Sequence, residues 1–313
     1  ELTANTLAST GTTYTWTPLV GFTATELLMV AGGGSGGENS DYRGGAGGAG
    51  GLILLENYSI STETYTVTVG NGGAATETDD IAPNGYNSSI NGEVISLIAL
   101  GGGGALGSDG TSTRNPQDGG SGGGGWYTTG TKKFGLATQP TNTYDGVNTY
   151  PGTGYGNNGG VGQNTPPYGG GGGGAGAPGQ DASATGSSTI GANGGDGLDL
   201  SGIFGTLYGD TNYPGWFAGG GSSDGYENYP NSSVNNNTSG IPGKGGGGLG
   251  NNNPNFTTGL PAQKHTGGGG GSSTAGGSGI VLINNVPFDT FLPASLTYDN
   301  FNKLTVVGID AQT

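Results

Sequence analysis

Apolar positions along this chain fall in short, widely spaced segments. Tyr14–Pro18 and Thr64–Val69 (TYTVTV) alternate polar and apolar residues, which predicts strands with one buried face. Glu26–Ala31 (ELLMVA) and Leu52–Glu56 (LILLE) read as buried strands, and Val94–Leu100 (VISLIAL) is the longest apolar run. One more such segment, Gly279–Ile283 (GIVLI), lies far downstream, and helix signals are nearly absent. The pattern predicts a β domain from residues 1–100 closed by 279–285, with Val94–Leu100 as the expected neighbour of the returning strand. Residues 286–313, which include LTYDN and KLTVVGI, read as a final strand pair or a connector.

The stretch 101–278 then becomes an insertion, and glycine dominates it. The chain holds 77 Gly in 313 residues, far above the roughly 7% of ordinary proteins. The Gly comes in runs at 101–104, 119–125, 169–174, 245–248 and 267–271. Gly-X-Y periodicity is missing, so this is not collagen, and no Ala or Ser alternates with Gly as in silk. The remaining ordered form is the extended helix with three residues per turn, whose N–H and C=O groups all point outward and need partners in neighbouring runs. The expected fold is all-β plus irregular: a small β-sandwich-like domain with a large inserted bundle of polyglycine II helices joined by loops, and almost no α-helix.

Charge is sparse. Seven Lys and Arg stand against 22 Asp and Glu, a net charge of −15. A nucleic-acid surface needs clustered basic residues, so no nucleic-acid partner is expected. The chain has no Cys, which excludes disulfides and Cys-ligated zinc. No apolar stretch reaches the ~18 residues of a membrane span, so no insertion into a membrane is expected. Glu1 is not a natural start, and the chain is expected to be processed or part of something longer.

Catalytic and metal motifs are weak. Gly-x-Gly-x-x-Gly recurs by composition alone, with no helix after any copy. Gly194–Ser201 (GGDGLDLS) resembles a single calcium-binding nonapeptide repeat, with Asp199 matching and Ser201 in the apolar position. The expected reading is a solvated run end and no cofactor, with calcium near Asp196 and Asp199 as the alternative. His265 is the only His and reads as a surface loop residue.

Tyr14–Pro18, Leu27–Gly34 (LLMVAGGG), Gly44–Gly51, Tyr65–Gly73 (YTVTVGNGG), Ile98–Gly104 (IALGGGG) and Gly276–Ile283 (GGSGIVLI) follow one another in a set order. That order resembles the glycine-rich domain of bacteriophage tail fibres and related surface proteins. The later Gly blocks resemble the polyglycine sandwich of distal tail-fibre adhesins. The resemblance implies attachment to a host receptor, an outer-membrane protein or glycan, through loops rather than catalysis. It implies a virion tail-fibre or extracellular location, other fibre or virion proteins as partners, and room for a homotrimer. A purely structural particle protein and a polysaccharide depolymerase are the alternatives, with an ice-binding surface more remote.

Loop aromatics flanked by Asn, Ser and Gly suit a recognition surface, since rigid rings give contact area at little entropy cost. An even number of crossings between Leu100 and Ile280, all in Gly-rich segments and with 152–162 (GTGYGNNGGVG) among them, puts loops 105–118, 163–168, 198–218 and 251–266 far from the β domain, with Glu38–Arg43 beside them. The expected receptor-binding set is therefore Arg114, Tyr168, Tyr208, Tyr213, Trp216, Phe217, Phe256 and His265. Trp126 and Tyr229 are expected at the base.

Overall fold

The computed structural model of the chain describes residues 2–8, 10–18, 24–37, 44–56, 58, 60–75, 81–107, 114–126, 133–144, 149–164, 167–183, 190–225, 239–250, 259–285 and 303–307. Its strands are β1 (Leu2–Ala8), β2 (Gly11–Trp16), β3 (Ala24–Val30), β4 (Leu52–Glu56), β5 (Tyr65–Gly70), β6 (Ser88–Asn91), β7 (Ser96–Ala99), β8 (Asn142–Tyr144) and β9 (Thr149–Tyr155). Further on come the two-residue strands β10 (Gln163–Asn164), β11 (Pro167–Tyr168), β12 (Leu198–Asp199) and β13 (Trp216–Phe217), then β14 (Ile280–Asn285) and β15 (Lys303–Val307). The helix among the described residues is a single turn, α1 (Ser201–Phe204). The fold is thus nearly all β, with antiparallel pairing throughout its named strands.

Two sheets hold the longer strands. One has the order β1-β2-β5-β6-β7, the other β15-β14-β3-β4-β9-β8. Alternate side chains explain the core between them. Tyr14, Trp16, Tyr65, Val67, Ile90 and Leu97 come from the first sheet and meet Leu27, Met29, Ile53, Leu55, Val281 and Ile283 from the second. Trp16 and Tyr65 pack with ring centroids 5.4 Å apart.

The remaining residues of β3, β4 and β14 point the other way. Leu28, Val30, Leu52, Leu54, Ile280 and Leu282 form a second cluster with Leu200, Phe204, Phe217 and Ala218. Strands buried on both faces must be apolar at every position, which accounts for the unbroken runs LLMV and LILL. β7, within VISLIAL, is not the neighbour of the returning strand. It lies in the other sheet, where Leu97 and Ala99 are buried and Ser96 and Ile98 exposed.

The closing strand does join an N-terminal strand, but the expected neighbour is corrected. β14 pairs with β3, Val281 opposite Met29 and Leu282 opposite Leu28, and takes β15 on its other side. β9 pairs with β4 and belongs to the same sheet, although its Gly152 and Gly154 made it read as part of a glycine crossing. Glycine in a strand interior removes the alternation that marks a strand.

The glycine runs lie largely outside strand ladders, and their hydrogen bonds follow a repeat of three. In run 44–51, the N–H groups of Gly45, Gly48 and Gly51 donate to Leu106, Gly103 and Leu100. Those of Ala46 and Ala49 donate to Gly170 and Gly173, and those of Gly47 and Gly50 to Gly270 and Gly267. Each run thereby bonds to three neighbours in rotation. Backbones this close leave no space for side chains: a Cβ on Gly171 would fall on the carbonyl of Asn193, and one on Gly48 on that of Ser121.

Peripheral runs keep the three-residue spacing of donors toward one inner neighbour each. Ala82 and Gly85 bond to Ala105 and Gly102, Gly179 and Ala182 to Asn158 and Val161, Gly240 and Gly243 to Ser223 and Gly220, and Leu260 and Gln263 to Leu249 and Gly246. Some of the other positions need no N–H at all. Pro83, Pro178, Pro242 and Pro261 occupy them, and none of these prolines is buried. A residue without an N–H and with φ fixed near −65° suits an extended segment at such a position.

Candidate functional site

Hydrogen-bond register sorts the runs by direction. Run 32–37 leaves β3 and run 44–51 returns to β4. Gly120 donates to Gly101 and Leu106 to Gly124, so run 119–125 travels outward alongside 101–106. The chain comes back between them through 114–118, where Gln117 bonds to Gly104. Further returns run through 133–139, 239–245 and 259–263, whose mixed sequences hide them. The residues that bound the intervals 38–43, 108–113, 127–132, 184–189, 226–238 and 251–258 all lie at the end of the runs away from the sheets.

This places the expected receptor residues in two groups. Arg114 stands at the outer end, where its carbonyl accepts the Lys133 ammonium at 2.9 Å, and β11 puts Tyr168 there too. Phe256 and Tyr229 lie outside the described residues. Tyr208, Tyr213, Trp216, Phe217 and His265 sit at the sheet end, a correction to their expected position at the tip. Phe217 is fully buried in the cluster over the outer face of β3, β4 and β14, and Tyr208 packs against the same cluster. The His265 N–H donates to Ser278 Oγ at 3.1 Å, one residue before the segment that leads into β14. Trp126, expected at the base, is at the outer end and buried against Gly162. The alternation assumed that only Gly runs cross, and the returns through Ala-, Asn- and Pro-containing segments shift its parity.

The segment 198–218 is built from its buried feet upward. Leu200, Phe204 and Phe217 cover the six-stranded sheet, whose outer face would otherwise be wet. Asn284 Nδ2 of β14 reaches the Ile203 carbonyl at 3.4 Å. β12 and β13 pair, Leu198 opposite Phe217 and Asp199 opposite Trp216. Asp199 Oδ1 accepts the Ser201 N–H at 3.0 Å at the start of α1.

A buried carboxylate fixes the rest. Asp210 Oδ2 accepts the N–H groups of Gly245 and Gly246, each at 2.9 Å. Its Oδ1 accepts Asn212 N–H at 2.8 Å and Gln263 Nε2 at 2.9 Å. Gln263 Oε1 in turn accepts Thr211 N–H at 2.8 Å. Gly245 and Gly246 have φ of 100° and 87°, a conformation closed to most side chains, and it turns two successive N–H groups onto one oxygen. Burial alone would raise the pKa of Asp210, but these four donors outweigh it and hold the carboxyl below its usual value.

Above this support lies an aromatic cluster. Tyr213 and Trp216 meet edge to face with centroids 6.4 Å apart. Lys244 Nζ sits 5.0 Å from the Trp216 centroid and 5.4 Å from that of Tyr213, within cation–π range of both. The same ammonium is 3.8 Å from Asp196 Oδ2, and Asp196 Oδ1 accepts the Lys244 N–H at 3.0 Å. Asp196 and Asp199, the pair considered for calcium, are thus engaged by separate partners. No feature of the sequence marks Asp210, Gln263 and Lys244 as one assembly.

No helix among the described residues is long and apolar enough to cross a membrane. The architecture defines a class: antiparallel sheets carrying interlocked glycine runs on a backbone hydrogen-bond lattice. The chain belongs to the glycine-rich domain family, whose model matches residues 8–285. No curated protein matches it.

Proposed function

We propose that this protein is a receptor-binding adhesin of the tail-fibre type: a β-sandwich carrying a bundle of polyglycine II helices that presents loops to a host surface. The three-residue rotation of partners supports the helix reading, because an extended helix with three residues per turn points successive N–H groups about 120° apart. The single observation that carries the functional reading is the gathering of loop boundaries. Six intervals rich in Asn, Ser, Thr and Tyr begin and end at one face of a lattice whose backbones pack too closely for added side chains. Variable loops on a rigid scaffold are the usual arrangement of a recognition surface.

In this reading Arg114, Tyr168 and the interval that holds Phe256 meet the receptor, an outer-membrane protein or glycan. The sheets join the rest of the fibre, with other virion proteins or a trimer of this chain as partners, and the location is the virion tail or another extracellular surface. The protein is not an enzyme and carries no cofactor.

The test is binding of the isolated chain to host cells, followed by exchange of interval 226–238 for a Gly-Ser loop of equal length. Loss of binding with an unchanged melting temperature is expected. Failure of the intact chain to bind any host cell favours a purely structural role, and release of reducing sugar from host polysaccharide favours a depolymerase.

A further inference from the structure

We propose that the exposed aromatic cluster at the sheet end is a saccharide-binding subsite, with Tyr213 as the stacking platform and Asn212, Asp196 and Lys244 as the groups that read hydroxyls. The inference deepens the adhesin reading and rests on it for its biological meaning, but its chemistry is separate from the outer loops. A sugar ring is amphipathic: its axial C–H groups form an apolar face and its rim carries donors and acceptors. A site for it needs a rigid aromatic surface with polar groups beside it.

The 205–216 loop supplies that combination. Tyr213 keeps 46% of its surface in solvent and Leu207 78%, while Thr211 and Asn212 are exposed between them. The Asp196 and Lys244 side chains are 47% and 40% exposed, so both retain polar atoms that a ligand can reach. Phe204 and Phe217 already anchor the segment to the sheet. The additional Asp210 clasp fixes the tip, where no further burial is gained. It draws on 245–246 and on Gln263, and the bridge between Gly209 and Pro214 closes the loop. Ala218, just beyond, is held at φ 59°, a conformation unfavourable for a non-glycine residue. Preorganisation of this kind is what lets a small exposed patch bind without an ordering cost. The net charge of −15 disfavours a polyanionic ligand and leaves neutral hexoses and N-acetylhexosamines as the fitting class.

The experiment is saturation-transfer NMR of the full chain with glucose, galactose, mannose and their N-acetylamino derivatives and disaccharides at millimolar concentration. Transfer to the ring C–H protons of at least one sugar is expected. Tyr213→Ala should weaken that binding about tenfold or more, and Tyr213→Phe should leave it within about threefold. Each variant is checked by thermal unfolding. Should Tyr213→Ala destabilise the fold, Asn212→Ala carries the test, because it removes a hydroxyl-reading amide at an exposed position; weakened transfer supports the site and undiminished transfer overturns it. Absence of transfer to every sugar, or transfer undiminished in folded Tyr213→Ala, overturns the proposal. Neither result depends on host cells, so failure here leaves the outer-loop reading standing, and failure of cell binding leaves this one standing.

Discussion

Asp210 and Gln263 are 53 positions apart in sequence and form one hydrogen-bonded unit, Nε2 to Oδ1 at 2.9 Å. Together they join three returns of the chain at the sheet end: the 205–215 loop, the Gly245–Gly246 corner and the turn before Thr266. A buried carboxylate with four donors is worth keeping charged, and removal of the charge leaves those donors facing a poorer acceptor.

Asp210→Asn should therefore lower stability at pH 7 by about 2–3 kcal/mol, since one amide group must face two N–H donors. The pH dependence follows from the direction of the pKa shift. The folded-state value lies below the ordinary Asp value of about 3.9, so the stabilisation is present in full above that pH and is lost as pH falls through the folded value. Chemical denaturation of both proteins between pH 7 and pH 2 should show a constant gap that closes below about pH 4. A gap that does not vary with pH would mean that the charge contributes nothing.

Glycine substitutions should divide sharply by location. Gly171 donates to the Gln180 carbonyl, accepts from Gly160, and faces the Asn193 carbonyl at the point a Cβ would take. Gly171→Val should cost more than about 2 kcal/mol through overpacking against backbone that has no side chain to move aside. Gly202 in α1 is exposed and has nothing within 4 Å of the added atom. Gly202→Ala should be neutral or stabilise by about 0.5–1 kcal/mol, because helical Ala loses less entropy than Gly. Melting temperatures of the two variants check both statements.

The sequence shows strands where the side chains alternate or where they are all apolar, and it shows crossings where the backbone is all Gly. It fails where the two vocabularies mix. β9 carries Gly152 and Gly154, so it reads as a crossing although it pairs with Leu52–Leu55. The returns at 239–245 and 259–263 and the outward segment 177–183 carry Pro, Ala, Lys and Gln, so they read as loops although every third residue bonds inward. One signal was available for some of them. Pro178 and Pro242 each precede an inward-bonding Gly by one residue, as expected for an extended segment with one inward face. Miscounted returns moved Tyr208, Tyr213, Trp216, Phe217 and His265 to the wrong end, since parity propagates a single omission along the chain. The Asp210 clasp is illegible in sequence because its partners meet only after several crossings.

The cluster around Phe217 gives a last expectation, about which side of the sheet a residue serves. Phe217 lies over one face of β14 with Leu282, while Val281 belongs to the core on the opposite face. Phe217→Ala should cost about 3–5 kcal/mol, Leu282→Ala about 2–5 kcal/mol, and Val281→Ala about 2 kcal/mol. The pairs should behave differently. Removal of both Phe217 and Leu282 empties one shared space, so their costs should depart from additivity by about 0.5 kcal/mol or more. Phe217 and Val281 are separated by the sheet itself and should add to within about 0.5 kcal/mol. A double-mutant cycle from urea denaturation measures both couplings. Strong coupling of Phe217 to Val281, with none to Leu282, would show that the segment 198–218 does not cover the sheet as described. It would then be free to stand at the outer end of the runs.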